Sequence, residues 1–154
     1  MSWDPQKALP EELRTEVIVA PEGRFSSYLR RRYRVVVGRV DFSKGRGYQF
    51  QRAPRSRATG WTQFESEAYV GTVLVFLARC LRDVGISATR IACIGDSIKP
   101  EFEMPYECLG VFLRAIAGVP DHKYVLALDA AWCLGWTAED DLYFSLAPHM
   151  APMK

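Results

Sequence analysis

Residues 91–97 read Ile-Ala-Cys-Ile-Gly-Asp-Ser, an apolar run that stops at Gly95, Asp96 and Ser97. From Arg90 to Ile94 no polar residue alternates with the apolar ones, so both faces of a strand here would be covered. Such strands sit in the middle of a sheet, often a parallel one. Tyr124 to Leu128, Tyr-Val-Leu-Ala-Leu, has the same character. Between the two, Pro105 at a helix start, Glu107 in the first turn, the stripe Leu109, Phe112, Leu113 and Ile116, and Gly118 at the end mark a helix. Strand, helix and strand together predict a right-handed βαβ unit.

Outward from that unit, Thr62-x-x-Glu65 has the form of a capping box. Behind it, apolar residues from Phe64 through Tyr69, Val73, Phe76, Leu77 and Cys80 to Val84 cover more than one stripe, which predicts a long, largely buried helix ended by Gly85. Pro10-Glu11-Glu12-Leu13 predicts a short helix, and Thr15 to Ala20 turns β-like. Tyr33 to Phe42 is rich in β-branched and aromatic residues, and Tyr48 to Arg52 alternates aromatic with polar, with two glycines between them. A basic β-hairpin is the economical reading. Trp132 to Trp136 reads as an aromatic-rich loop, and Thr137 to Asp141 as another capped helix start. The fold class expected is a single α/β or α+β domain, 1–154. It has a mixed β-sheet with one βαβ unit, a basic hairpin and a long buried helix. Residues 1–14 and 148–154 are expected to be loose, and 53–61 a basic, flexible connection.

A chain of 154 residues with 49% apolar composition buries one sizeable core. Its longest apolar stretches, Val70 to Ala78 and Tyr124 to Ala131, fall short of the roughly 20 residues a membrane-spanning helix needs. The first residues carry no apolar block behind a positive start, so a cytoplasmic protein is expected. Cys80, Cys93, Cys108 and Cys133 are widely spaced, without a Cys-x-x-Cys pair, and only His122 and His149 could assist them as ligands. Reduced core thiols are expected, with no cofactor and no structural metal.

The net charge of +2 conceals an asymmetry. Between Gly23 and Gly60 eleven Lys or Arg face one acid, Asp41, so that segment carries +10 and the remainder −8. Arginine forks grip phosphate oxygens and aromatic faces stack on unpaired bases, so interleaving the two suits RNA or single-stranded DNA. Within residues 24–57 the candidates for such a face are Arg30, Arg31, Arg32, Arg34, Arg46, Tyr48, Phe50, Arg52, Arg55 and Arg57. No duplex-reading motif is visible. A non-enzymatic nucleic-acid-binding protein is the leading expectation. The alternative is an inhibitor of immunity-protein or phage anti-defence type that binds an acidic protein partner through the same residues.

The sequence also carries two catalytic patterns. Both apolar strands run into an aspartate, Asp96 and Asp129, which would share a crevice if the strands were neighbours. With Glu101 and Glu103 as further oxygen ligands and Lys99 for a phosphate, a metal-dependent phosphodiester enzyme is the remote alternative. Gly95-Asp96-Ser97 also resembles the first block of the SGNH/GDSL hydrolases over three residues. That resemblance implies a nucleophilic Ser97 served by a late Asp-x-x-His. Here His122 is adjacent to Asp121 and His149 lies eight positions after Asp141, so neither reproduces the spacing. A serine without a positioned base is not a nucleophile at neutral pH.

Overall fold

The apolar run of Arg90–Gly95 is explained by two cores rather than one. Ile91 and Cys93 enter a core beneath helices, and Ala92 and Ile94 enter a second core on the opposite face of the same strand. The structure is a computed structural model that describes residues 9–52, 63–96, 100–116, 122–137, 139 and 141–148. In chain order its elements are α1 (Glu11–Arg14), β1 (Ile18–Val19), α2 (Arg24–Arg32), β2 (Val35–Val36), β3 (Arg39–Val40), β4 (Arg46–Arg52) and α3 (Gln63–Asp83). There follow β5 (Arg90–Gly95), β6 (Phe102–Pro105), α4 (Leu109–Ile116), β7 (Lys123–Ala127), β8 (Trp132–Trp136) and β9 (Asp141–Leu146). Short 3₁₀ turns, Phe42–Lys44 and Tyr106–Cys108, precede β4 and α4.

Seven strands form one sheet in the order β1-β6-β5-β7-β8-β9-β4, and a second, two-stranded sheet is the β2–β3 hairpin. The fold is α+β, and every neighbouring pair in both sheets is antiparallel. The expected mixed sheet and parallel βαβ unit are therefore corrected. β5 and β7 are neighbours, but Ile91 pairs with Ala127 and Gly95 with Lys123, so they run in opposite directions. A strand needs cover on both faces to be apolar throughout, and antiparallel strands receive that cover here as parallel ones usually do.

On one face α3 and α4 supply Tyr69, Val73, Phe76, Leu77, Phe112 and Leu113, which pack on Phe102, Met104, Val125, Leu134 and Phe144. On the other, α2 contributes Phe25 and Leu29, and the 3₁₀ turn contributes Phe42, against Tyr124, Leu126 and Cys133. The long helix forms as expected, and Gly85 closes it at φ 73° with Ile86 N donating to Leu81 O at 2.9 Å. Thr62 of the expected capping box lies outside the described residues, as do 53–61 and Gly118. Glu11–Arg14 is helical, so only the first eight residues of the 1–14 terminus remain undescribed.

Three further expectations change. Tyr33 to Phe42 does not pair with Tyr48 to Arg52. Val35–Val36 instead folds back on Arg39–Val40 through Val37 and Gly38, both at positive φ, while β4 joins β9 at the far edge of the main sheet. Trp132–Trp136 is strand, all five residues buried, and not loop. Its lack of alternation, caused by cover on both faces, hid it. Thr137 opens no helix: its N–H donates to Asp141 O at 2.9 Å and its Oγ1 accepts from Asp141 N at 3.1 Å, which closes the β8–β9 hairpin.

Glu101 explains how α2 is held to the sheet. The residue before that helix is Gly23, at φ 76°, with no side chain to cap it. The buried Glu101 carboxylate supplies the acceptor, taking Phe25 N–H at 2.7 Å, while Glu101 O accepts from Ala20 N at 2.9 Å. A carboxylate at the positive end of a helix and Arg30, Arg31 and Arg32 in its last turn both complement the dipole. Glu101→Ala leaves a buried amide without an acceptor and should lower stability by about 1–3 kcal/mol in urea denaturation. Glu107→Ala, at an exposed position, should stay within about 0.5 kcal/mol. Equal effects at the two sites would remove the capping role.

Candidate functional site

The arginines and aromatics of residues 24–52 are dispersed over a helix, a short hairpin and an edge strand. These elements still collect on one side of the main sheet. On α2 the stripe Phe25, Leu29 and Arg32 is buried, which turns Arg24, Arg30 and Arg31 to solvent. Arg24 lies 5.2 Å from the centre of the Phe25 ring and Arg31 5.1 Å from that of Tyr28, so these guanidiniums rest on aromatic faces. Arg32 is the exception among the predicted contacts, because its side chain is taken into the fold. Arg34 and Arg39 are exposed on the hairpin.

β4 alternates its sides. Gln49 and Gln51 face α3, bonding Asp83 and Arg79 at 3.1 Å each, so Tyr48, Phe50 and Arg52 face the α2 side. Tyr48 and Phe50 keep 43% and 46% of their surface in solvent. Tyr143 of β9 lies beneath both rings, at 6.5 Å and 5.1 Å between centroids. Phe42 continues the series, nearly parallel to Tyr143 at 5.6 Å and to Tyr124 at 6.4 Å. Its ring lies directly on Gly135, where an added Cβ would come within 2.6 Å of it.

Between the β2–β3 hairpin with its following turn and the end of the sheet opens a cleft of about 440 Å³. Phe42, Tyr48, Tyr124 and Tyr143 form its aromatic wall, and Arg39, Asp41, His122, Glu139 and Asp141 its polar lining. Glu139 stands between Arg39 and His122, 3.9 Å from the guanidinium and 4.0 Å from His122 Nδ1. Asp141 Oδ1 is buried, with Arg52 Nε at 3.4 Å but no hydrogen bond. Asp41 Oδ1 already accepts from Ser43 N and Oγ at 3.2 and 2.6 Å, and the hydroxyl bond, with Lys44 and Arg34 nearby, holds its carboxyl below the usual range. At the inner end Lys123, only 3% exposed, places its ammonium 4.5 Å from the Trp136 ring centre.

The proposed metal ligands are not brought together. Asp96 N donates to His122 O, so Asp96 lies at the start of β7, whereas Asp129 follows its end and accepts from Ala131 N at 3.0 Å as a turn residue. At about 3.3 Å per residue the two ends of β7 are roughly 15 Å apart. Glu101 caps α2, and Glu103 pairs with Arg90 at 2.8 Å. Among the described residues no three His, Cys, Asp or Glu side chains form a metal-binding group. Ser97, Lys99, Asp121, His149, Arg55 and Arg57 lie outside the described residues.

The cleft residues His122, Tyr124, Glu139, Asp141 and Tyr143 come from separate segments and carry no motif. The alternation Asp141-Leu142-Tyr143-Phe144 is the one local signal, since it turns Leu142 and Phe144 to the core and Asp141 and Tyr143 to the cleft side. No helix among the described residues is long and apolar enough to cross a membrane. Compared with protein families, curated proteins and solved structures, the chain matches none of them.

All four cysteines are free and buried. Burial pushes the Cys80 thiol up to about 11 and Cys93 up to about 12, from an ordinary value of 9.0, and raises the Tyr124 phenol to about 12 from 10.0. These groups release protons in the unfolded chain before they do so in the folded one. Their contribution is intact below pH 9 and is lost as pH rises toward 12. Melting temperature under reducing conditions should be level up to pH 9 and fall above it; a rise in alkali would contradict the burial of these groups.

Proposed function

We propose that the chain is a non-enzymatic binding protein that takes RNA or single-stranded DNA on the side of the sheet carrying α2, the β2–β3 hairpin and the outward aromatics of β4. One observation carries this reading. The exposed rings of Tyr48 and Phe50 stand beside Arg52 on one face of an edge strand, and the exposed Arg30 and Arg31 lie over the same side of the sheet. Stacking rings and phosphate-gripping arginines are the two components of single-strand recognition. The short hairpin presents Arg34 and Arg39 between them. An edge strand with exposed rings suits splayed bases better than a duplex groove, which would call for a protruding helix or ribbon.

A second reading is favoured by the hairpin tip. Val35, Val36 and Val37 are exposed, Val37 to 95%, and Val37 holds φ 51°, a costly conformation for a β-branched residue. An aliphatic tip flanked by Arg34 and Arg39 suits a protein surface with acidic and apolar parts, and so an inhibitor or immunity-type partner.

Salt separates the two. Binding of a fluorescent single-stranded RNA should weaken linearly in log–log form with salt, and the Arg30→Ala/Arg31→Ala variant should reduce the slope by about 1.4, two phosphate contacts at 0.7 each. Tyr48→Ala should cost about 1–3 kcal/mol with the slope unchanged. Slopes that are identical for wild type and the arginine variant would remove the nucleic-acid reading. Loss of a co-purifying protein partner on Val37→Asp, without any RNA affinity in the wild type, would establish the second.

A further inference from the structure

The cleft differs in charge from the surface around it. Arg30, Arg31, Arg34 and Arg52 lie outside it, whereas three carboxylates, Asp41, Glu139 and Asp141, line it beside two basic residues, Arg39 and Lys123, and the aromatic wall. Its carboxylates accept N–H donors, which a base offers and a phosphate does not. We infer that this cleft is a pocket for a single guanine base, whose phosphate remains outside on the arginine-bearing surface. The inference rests on the nucleic-acid reading above and names the base that the face selects.

Size and chemistry agree. At about 440 Å³ the cleft lies within the 300–1,000 Å³ span of small-molecule sites. Tyr48 gives the base a ring to stack on, partly exposed and nearly parallel to Tyr143 behind it. Glu139 is the acceptor. Arg39 and His122 flank its two oxygens at 3.9 and 4.0 Å, beyond hydrogen-bond length, so both contacts are looser than a hydrogen bond. Asp41 has its Oδ1 engaged by Ser43, and Asp141 faces Arg52. Guanine alone among the bases offers two adjacent donors, N1–H and the N2 amine, to the two oxygens of one carboxylate, the same fork geometry that pairs arginine with carboxylates. Uracil would set two carbonyl acceptors beside its single donor and meet repulsion. Adenine and cytosine bring one amino group each, next to an acceptor nitrogen.

The test titrates the full chain with guanosine, inosine and uridine 5′-monophosphates by calorimetry, beside the single-stranded RNA used for the salt series. The guanine nucleotide should bind saturably. Inosine, which lacks the N2 amine, should bind about tenfold more weakly or worse, the discrimination of one bidentate pair, and uridine should not bind. Glu139→Gln, at an exposed turn position, should remove the guanine–inosine difference while leaving melting temperature in place. Salt-dependent RNA binding with no preference among the three nucleotides overturns the pocket and spares the nucleic-acid reading. Guanine nucleotide binding without any RNA binding overturns that reading and keeps the pocket. Saturation by arginine amide but by none of the nucleotides overturns the guanine assignment and turns the site over to a basic peptide.

Discussion

The ring of Phe42 lying on the bare backbone of Gly135 is the contact on which the arrangement depends. It occupies the space a side chain would need on β8, and Tyr124 and Tyr143 close around it from the neighbouring strands. Through that ring the 3₁₀ turn and the β2–β3 hairpin are fastened to the main sheet, to which the hairpin strands themselves are not paired. Such a ring pair contributes about 0.5–1.5 kcal/mol beyond the area it buries. The same contact fixes the hairpin as one wall of the cleft. Asp41, the residue before Phe42, caps the turn with its own carboxylate, so the position of the ring and the shape of the turn are set together.

The other anchor is Glu101. A carboxylate at the end of a central sheet's connection serves as the N-terminal acceptor of α2, seventy-six positions earlier in the chain. Together Phe42 and Glu101 hold a strongly basic segment against an apolar sheet face, from which mutual repulsion among its arginines would otherwise help to separate it. Rings beneath Arg24 and Arg31 ease that repulsion locally, and ion pairs from Arg39 and Arg52 to Glu139 and Asp141 join the segment to the acidic remainder of the chain. The Arg39–Glu139 pair is exposed on both sides, a kind that contributes about 0–1 kcal/mol.

Much of the element content could be read from residues alone. The strands at Arg90–Gly95 and Lys123–Ala127, the helix Leu109–Ile116 and the long helix Gln63–Asp83 all announce themselves by apolar pattern, length and bounding glycines. Strand direction did not follow, because a run that is apolar on both faces says only that it is covered. With direction went the fate of Asp96 and Asp129, which antiparallel pairing sends to opposite ends. Trp132–Trp136 escaped notice for the same reason, since cover on both faces erased the alternation that identifies a strand. Of the candidate-site residues, Tyr48, Phe50 and the exposed arginines were visible as composition. Glu139 and Tyr143 were not, and His122 stood out only as a lone histidine, because the fold alone brings the three together.

Backbone hydrogen exchange of the full chain, with and without single-stranded RNA, tests the central claim that α2, the β2–β3 hairpin, β4 and the cleft form one binding face. Exchange should slow over residues 24–52 and 137–143 on addition of RNA and stay unchanged along the outward surface of α3. Protection confined to α3, or an exchange pattern unaltered by saturating RNA, would contradict it.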